Sequence, residues 1–115
     1  MRVYFRIGVF KEGKRLSKED FKGKKDPLSL GIRYVLEFKY LEASKWLMLA
    51  PDCWEKYALL ALVNLALGQR PQATDFWQEA SKYPQTTPYT FVVEKPEENK
   101  RLTIERTGGA LPDFL

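Results

Sequence analysis

Apolar and polar residues alternate along the first ten positions of the chain. The branched or aromatic residues at the odd positions are Val3, Phe5, Ile7 and Val9. Successive side chains of a strand point to opposite faces, so this period of two predicts a β-strand over residues 1–10. Residues 11–26 are polar and highly charged and include two glycines. They predict a basic loop, with one short helical turn after Ser17.

The apolar period changes to three and four residues beyond position 26. Asp26 followed by Pro27 is typical of a helix start, with a capping carboxylate and a proline in the first turn. Pro51 ends this segment. The apolar positions at helical spacing are Leu28, Ile32, Val35, Leu36, Ala43, Leu47 and Ala50. The pattern leaves open whether residues 27–50 form one long helix or two.

Two further helices are predicted between positions 52 and 84. Asp52 and Glu55 have the spacing of a capping box, and the helix after them ends at Gly68, where a left-handed cap is expected. Pro71 opens another helix that ends near Tyr83.

The β-type pattern returns after the helical region. Residues 89–94 and 101–106 are rich in branched and aromatic residues and are separated by a polar segment, which predicts a β-hairpin over 89–106. Residues 107–115 predict a flexible tail. A chain of 115 residues fits one domain. The prediction is therefore a single α+β domain over 1–115, with a helical segment at 27–84 between an N-terminal strand and a C-terminal hairpin.

The helical segment repeats itself after thirty residues. The first copy carries Leu30-Gly31-x-x-Tyr34 and then Ala43-x-x-x-Leu47-x-x-Ala50. The second carries Leu60-Ala61-x-x-Asn64 and then Ala73-x-x-x-Trp77-x-x-Ala80. Small residues at these steps let helix backbones approach closely, and large residues fill the gaps between them. A repeat of this length is typical of one supersecondary unit stacked on its copy.

These spacings resemble the tetratricopeptide repeat over residues 27–84. Gly68-Gln69 stands where that family turns between its two helices, and Phe38-Lys39 is the equivalent place in the first copy. The period is thirty instead of the family's roughly 34 residues, and there are two units where such stacks usually have at least about three. The resemblance implies stacked helix-turn-helix units that serve as a protein adaptor. An ordinary small helical bundle is the alternative that the residues leave open.

Composition narrows the function classes. The chain has no histidine and one cysteine, Cys53, so the usual zinc ligand sets and an internal disulfide are excluded. Without histidine the commonest general base is missing, and the acidic neighbours of Cys53 oppose a reactive thiolate. We therefore predict a non-enzymatic protein without a cofactor or metal. No apolar run approaches the roughly 20 residues that span a bilayer, and a lone thiol is typical of a reducing compartment, so a cytoplasmic location is expected.

The net charge of +4 comes from the N-terminal arm. Residues 1–26 hold nine Lys and Arg against four acids, whereas the remaining 89 residues hold ten against eleven. Lys22, Lys24 and Lys25 are the candidate anion-binding residues of this arm, and nucleic acid is the partner they would fit. Nucleic-acid binding by this arm is the second hypothesis, because clusters of charged residues in a loop are most often simply exposed to solvent. Two Asn and two Met beside many Lys are also a pattern of thermophilic proteins.

The first hypothesis is a protein-interaction or assembly module. If the two units stack, an apolar face remains that the N-terminal strand, the C-terminal hairpin, a partner protein or a second copy has to cover. Trp46 is adjacent to Leu47 on a helix, so only one of the two can face the core. The predicted partner-binding residues are Leu28, Ile32, Val35, Leu62, Leu65 and Trp46.

Overall fold

A layer of helices packs on one antiparallel sheet in the computed structural model, which describes residues 4–105 and Leu111. Within these residues the helices are α1 (Pro27–Leu36), α2 (Tyr40–Leu49), α3 (Trp54–Ala66) and α4 (Arg70–Ala80). The strands are β1 (Arg6–Lys11), β2 (Lys14–Arg15), β3 (Tyr89–Lys95) and β4 (Lys100–Ile104). Short 3-10 helices occupy Lys18–Phe21 and Pro96–Glu98. The predicted α+β class is confirmed, while the predicted tail lies largely outside the described residues.

Strands from both ends of the described chain form one sheet. Its order is β2-β1-β3-β4, and every neighbouring pair is antiparallel. β1 pairs directly with β3, so that Ile7 is opposite Val93 and Val9 is opposite Phe91. All four side chains are buried. The predicted N-terminal strand and C-terminal hairpin therefore form a single layer, whose inner face carries the apolar half of the alternating pattern.

The predicted basic loop contains more regular structure than its sequence indicates. Glu12 and Gly13 both have positive φ, at 51° and 80°, as a two-residue hairpin turn of type I′ requires. This turn reverses the chain so that β2 pairs with the end of β1. The helical turn predicted after Ser17 is present as the 3-10 helix Lys18–Phe21.

The helical segment consists of two hairpins with the same turn. Phe38 and Gly68 have φ of +62° and +81°. The residues after them also agree: φ and ψ are −99° and 69° at Lys39, and −100° and 69° at Gln69. Each of their N–H groups donates to the carbonyl oxygen five residues earlier, at 2.9 and 2.8 Å. The thirty-residue repeat is thus present in the backbone, and residues 27–50 form two helices.

The predicted helix caps have different outcomes. Asp26 Oδ2 accepts a hydrogen bond from Ser29 N at 3.0 Å, so the cap of α1 is confirmed. The capping box predicted for α3 is wrong: the N-cap residue is Cys53, and its side chain makes no cap hydrogen bond. Asp52 and Glu55 have other partners, which are described below.

Helices and sheet share one hydrophobic core. α1 packs on α2, α2 on α3 and α3 on α4, while β1 contacts both α1 and α3. Gly31 permits the close approach of α1 to α2, because a Cβ atom at this position would lie 2.6 Å from Leu47 Cδ2. At the start of α3 the ring of Trp54 stacks on Phe91 of β3, with 5.6 Å between the ring centroids. These contacts fix the helical layer on the inner face of the sheet.

Candidate docking surface

Four of the six predicted partner-binding residues belong to the core. Ile32, Val35, Leu62 and Leu65 have 0% exposed surface. The sheet covers them, since β1 packs on α1 and α3 and adds its own buried side chains to the same cluster. A partner cannot touch these four residues in the folded chain. Their assignment to a docking face is therefore wrong, and their role is to join the helical layer to the sheet.

The other two predicted residues keep some surface. Leu28 is half-buried and packs against the core. Trp46 is half-buried as well, whereas its neighbour Leu47 is completely buried. Consecutive helical residues diverge by about 100° around the axis, so Leu47 occupies the core side of α2 and Trp46 lies at the margin of its outer side.

The outer side of α2 carries a strip of exposed apolar residues. Leu41, Met48 and Leu49 are 53%, 53% and 68% exposed. Leu41 and Met48 are seven residues apart, so they lie two turns apart on one face, with Lys45 between them. We call the exposed residues Leu41, Glu42, Lys45, Met48 and Leu49 the α2 face. Exposed apolar side chains clustered in this way make the α2 face the candidate docking surface.

The second hairpin provides an internal comparison for the α2 face. Thirty residues further on, α4 has the same backbone turn before it and nearly the same sequence of exposed and buried positions. The positions equivalent to the α2 face carry Pro71, Gln72, Asp75, Gln78 and Glu79. The fold therefore accepts polar residues at these positions. Since the hairpin does not require Leu41, Met48 and Leu49, their apolar character needs another explanation, and docking supplies one.

The first residue of α2 is fixed to the sheet. The hydroxyl oxygen of Tyr40 accepts a hydrogen bond from the backbone N–H of Ile7 at 3.3 Å. Burial of the side chain raises the pKa of Tyr40 to about 12, so the phenol stays neutral throughout the physiological range.

The last turn of α2 is fixed by a lysine from α3. Lys56 is buried, and its Nζ donates to the carbonyl oxygens of Met48 and Ala50 at 3.2 and 2.8 Å. It also contacts Asp52 Oδ1 at 3.3 Å. The carbonyl groups at the end of a helix lack partners within the helix, and the ammonium group satisfies two of them here. Both ends of α2 are therefore anchored to neighbouring elements.

Asp52 completes this anchor. The hydroxyl of Tyr57 donates to Asp52 Oδ1 at 2.7 Å. This hydrogen bond, followed by those from Lys56, lowers the pKa of Asp52 below its ordinary value. The carboxylate is therefore ionised at neutral pH and remains a partner for the Lys56 ammonium group.

A buried carboxylate ties the helical layer to the last two strands. Glu55 has no exposed surface, and its oxygens accept hydrogen bonds from the backbone N–H and the hydroxyl groups of Thr86 and Thr87. The shortest of these are 2.6 Å, from Thr87 N and Thr87 Oγ1 to Oε2. The connector between α4 and β3 is thereby held at the start of α3.

Cys53 lies close to this carboxylate and is buried. Desolvation, together with the negative charge of Glu55, raises the pKa of the thiol. A raised pKa keeps the group in its unreactive thiol form at neutral pH. The environment of Cys53 is therefore that of a small core residue.

A cleft of about 780 Å³ lies between the β1–β2 hairpin and the turn before α2. Phe38 lines it, and the Arg6 guanidinium lies 5.2 Å from the centre of the Phe38 ring. Its lining also contains two ion pairs, Arg15–Glu94 at 2.9 Å and Lys39–Glu37 at 3.5 Å. Because these charges neutralise one another, the cleft has little preference for an anionic or a cationic ligand.

The three candidate anion-binding lysines are all exposed but do not converge. Lys24 lines a depression of about 310 Å³ together with Lys11 and Lys14, whereas Lys22 and Lys25 lie outside it. Two acidic residues, Glu12 and Asp20, line the same depression. The arm therefore presents dispersed and partly neutralised charge.

A more ordered basic group lies on the outer face of the sheet. The guanidinium groups of Arg15 and Arg101 lie 4.7 and 5.0 Å from the centre of the Phe10 ring. Arg15 also forms two contacts with Glu94, at 2.9 and 3.0 Å, while Arg101 has no carboxylate partner within residues 4–105. The sequence analysis missed this group because its members come from three different strands.

No family model, curated protein or solved structure matches this chain. The resemblance to the tetratricopeptide repeat therefore stays a prediction. Across the described part of the chain, the helices are too short or too polar to cross a lipid bilayer.

Proposed function

We propose that the protein is a non-enzymatic interaction module that docks another protein chain through the α2 face. The observation that carries the proposal is the contrast between the two hairpins. Their backbones agree and their burial patterns are nearly the same, but α2 exposes Leu41, Met48 and Leu49 where α4 carries exposed Pro71 and Gln78 and half-buried Glu79. Apolar surface that the fold does not need is the property expected of a docking site.

The size of this surface sets the strength of docking. Complete burial of a Leu or Met side chain contributes about 1.5–3 kcal/mol, and these three side chains are already partly buried. Docking would remove roughly half of each from water, which contributes about 1 kcal/mol per residue. Association also has a large entropic cost. The α2 face therefore supports reversible association, with further contacts from the margin around Trp46 and Phe38.

Site-specific photocrosslinking in cells tests this proposal. A benzophenone amino acid in place of Met48 is expected to give discrete adducts, because this position faces the docked chain. The same amino acid in place of Gln78, the equivalent position on α4, is the matched control and is expected to give none. Adding Leu41→Glu is expected to abolish the Met48 adducts, since a carboxylate would have to be desolvated in the interface. Equal adducts from both positions, or adducts that survive Leu41→Glu, would contradict docking through α2.

The outer face of the sheet supports a second candidate function, the binding of single-stranded nucleic acid. Arg101 is held against Phe10 by a cation–π contact, so its guanidinium group loses less freedom when it binds phosphate. Arg15 lies against the same ring but is paired with Glu94. Exposed Thr90 and Thr103 lie on the same face and add hydrogen-bonding groups. In this candidate the main anion contact is Arg101 of the sheet, and not the lysines of the N-terminal arm.

Fluorescence anisotropy with a labelled oligouridylate tests the second candidate. Arg101→Gln is expected to weaken binding about fivefold. It is also expected to reduce the slope of log binding constant against log salt concentration by about one, because one phosphate contact is lost. Lys25→Gln removes the same charge from the arm and is expected to change neither quantity. Equal losses in the two variants would indicate nonspecific attraction to the basic arm and would argue against a site on the sheet.

A further inference from the structure

We infer that the cleft beside Phe38 holds one base of a single-stranded nucleic acid, whose phosphates contact Arg6 at the cleft and Arg101 on the outer face of the sheet. This base-binding subsite rests on the second candidate function, because it extends the same ligand from the sheet into the cleft. Three features support it: the backbone and exposure of Phe38, the nearly neutral lining of the cleft, and the position of Arg6.

Phe38 has a backbone conformation that is unfavourable for its side chain. Its φ of +62° lies in the left-handed region, where bulky residues are rare because the Cβ atom crowds the backbone. Gly68 occupies the same place in the second hairpin, so the turn itself needs no aromatic residue. The Phe38 side chain is 54% exposed and does not belong to the hydrophobic core. Residues held in such conformations concentrate at ligand-binding sites, and an exposed aromatic ring is a surface on which a base stacks.

The lining of the cleft suits a planar and uncharged group. Its charged side chains are four basic and three acidic. Four of them form the ion pairs Arg15–Glu94 and Lys39–Glu37. The half-buried Leu16 adds apolar surface. The volume of about 780 Å³ lies within the range of ligand pockets. A nucleobase is planar and uncharged at neutral pH, and proteins bind it by stacking on aromatic rings and guanidinium planes.

Arg6 connects the cleft with the outer face of the sheet. Its guanidinium lies 5.2 Å from the centre of the Phe38 ring. In the register of the sheet, Arg6 is opposite Glu94, and Glu94 is opposite Arg101. Directly opposite residues share a face, so the three lie in one row, with the backbones at Arg6 and Arg101 about 10 Å apart.

This row offers two cations to a negatively charged ligand. Glu94 is paired with Arg15. Arg6 and Arg101 form no ion pair with any residue of the part of the chain that the structure describes. Both guanidinium groups lie against an aromatic ring, which limits the freedom that they lose on binding.

A strand fits this layout better than a free nucleotide does. One nucleotide unit supplies a base for Phe38 and a phosphate for Arg6, whereas Arg101 lies two strand spacings away across the sheet. A single-stranded nucleic acid repeats a neutral planar base and an anionic phosphate on every unit, so that neighbouring units reach both arginines. The ligand class that matches all three groups is therefore a single strand.

Fluorescence anisotropy with two labelled ligands tests the subsite. The ligands are an oligouridylate and an abasic oligomer of the same length, which carries the same phosphates without bases. Phe38→Gly is expected to weaken binding of the oligouridylate at least about fivefold, because one stacked base is lost. Its salt dependence is expected to stay unchanged, since no charge is removed. Binding of the abasic oligomer is expected to be the same in Phe38→Gly and the unmodified chain.

Two further variants separate charge from stacking. Arg6→Gln is expected to weaken both ligands alike and to reduce the slope of log binding constant against log salt concentration by about one. Leu102→Ala is the matched control: Leu102 is 39% exposed, but it alternates with Arg101 and so lies on the other face of the sheet. It is expected to change neither affinity. Phe38→Asn, which also tolerates a left-handed backbone, repeats the test with a second side chain, and far-UV circular dichroism checks that each variant is folded.

The possible outcomes separate the subsite from the functions proposed above. A loss in Phe38→Gly that is confined to the oligouridylate supports the subsite. No loss, or equal losses with both ligands, overturns it, and a loss in Arg101→Gln would then leave the site on the sheet standing. Competition by uridine monophosphate that is as strong per nucleotide as that of the oligomer assigns the cleft to a free nucleotide and overturns the strand. If the unmodified chain does not bind the oligouridylate, the subsite and the second candidate function both fall, while docking through the α2 face is unaffected.

Discussion

Replacing Glu55 with glutamine is expected to lower the free energy of unfolding by about 3 kcal/mol. The buried carboxylate accepts hydrogen bonds from four donors on Thr86 and Thr87. Glutamine keeps the size of the side chain, but its NH₂ group places a donor against N–H and O–H donors. Whichever carboxylate oxygen is replaced, the NH₂ group faces the backbone N–H and the hydroxyl of one of the two threonines in a partly buried place. Urea unfolding followed by far-UV circular dichroism measures the change.

Thr87→Val is the matched control for this prediction. It removes the hydroxyl that donates to Glu55 Oε2 at 2.6 Å and keeps the side-chain shape and the backbone N–H. We expect a loss of about 1–1.5 kcal/mol, clearly smaller than that of Glu55→Gln. The double variant is expected to lose less than the sum of the two, because the residues share one network. Additive losses, or a change below about 0.5 kcal/mol for Glu55→Gln, would contradict the role assigned to this carboxylate.

Lys56→Met is expected to lower the free energy of unfolding by about 2 kcal/mol. Methionine fills a similar volume but cannot donate to the carbonyl groups of Met48 and Ala50, which end α2. Hydrogen exchange measured by mass spectrometry is expected to show faster exchange in the last turn of α2 than in α4. This local effect separates loss of the helix end from a general loss of stability.

Lys82→Met serves as the comparison for Lys56. It removes an exposed lysine that pairs with Glu79 at 3.1 Å, and surface ion pairs contribute about 0–1 kcal/mol. A change within about 0.5 kcal/mol is expected. If the two lysine variants had the same effect, or if exchange in α2 stayed unchanged in Lys56→Met, the anchoring of α2 by Lys56 would be refuted.

Local rules predicted most of the fold. The alternating pattern around Ile7 and Val9 and the cap at Asp26 depend on neighbouring residues only, and both are confirmed. The sequence leaves the turn at Phe38 open because no glycine or proline marks it. Phenylalanine at positive φ is uncommon, and only the equivalence of Phe38 to Gly68 points to the turn. The capping box at Asp52 and Glu55 failed because both carboxylates have partners outside it, and for Glu55 these lie some thirty residues away.

The docking surface was harder to predict, because apolar residues at helical spacing occur both in cores and on interfaces. The pattern placed Ile32 and Leu62 on an open face, since nothing local shows that β1 and β3 pair and cover it. Leu41, Met48 and Leu49 were not singled out at all. One signal was available in the sequence: a comparison of the two copies position by position shows apolar residues at 48 and 49 where 78 and 79 are polar.

The pairing of β1 with β3 has a consequence for the order in which the chain folds during synthesis. β1 leaves the ribosome roughly 80 residues before β3, which is a delay on the order of 4–16 seconds at typical translation rates of about 5–20 residues per second. Both helical hairpins contain only short-range contacts and form in far less time. The nascent chain is therefore expected to present folded helices beside an unpaired β1, whose free edge is open to chaperones until β3 arrives.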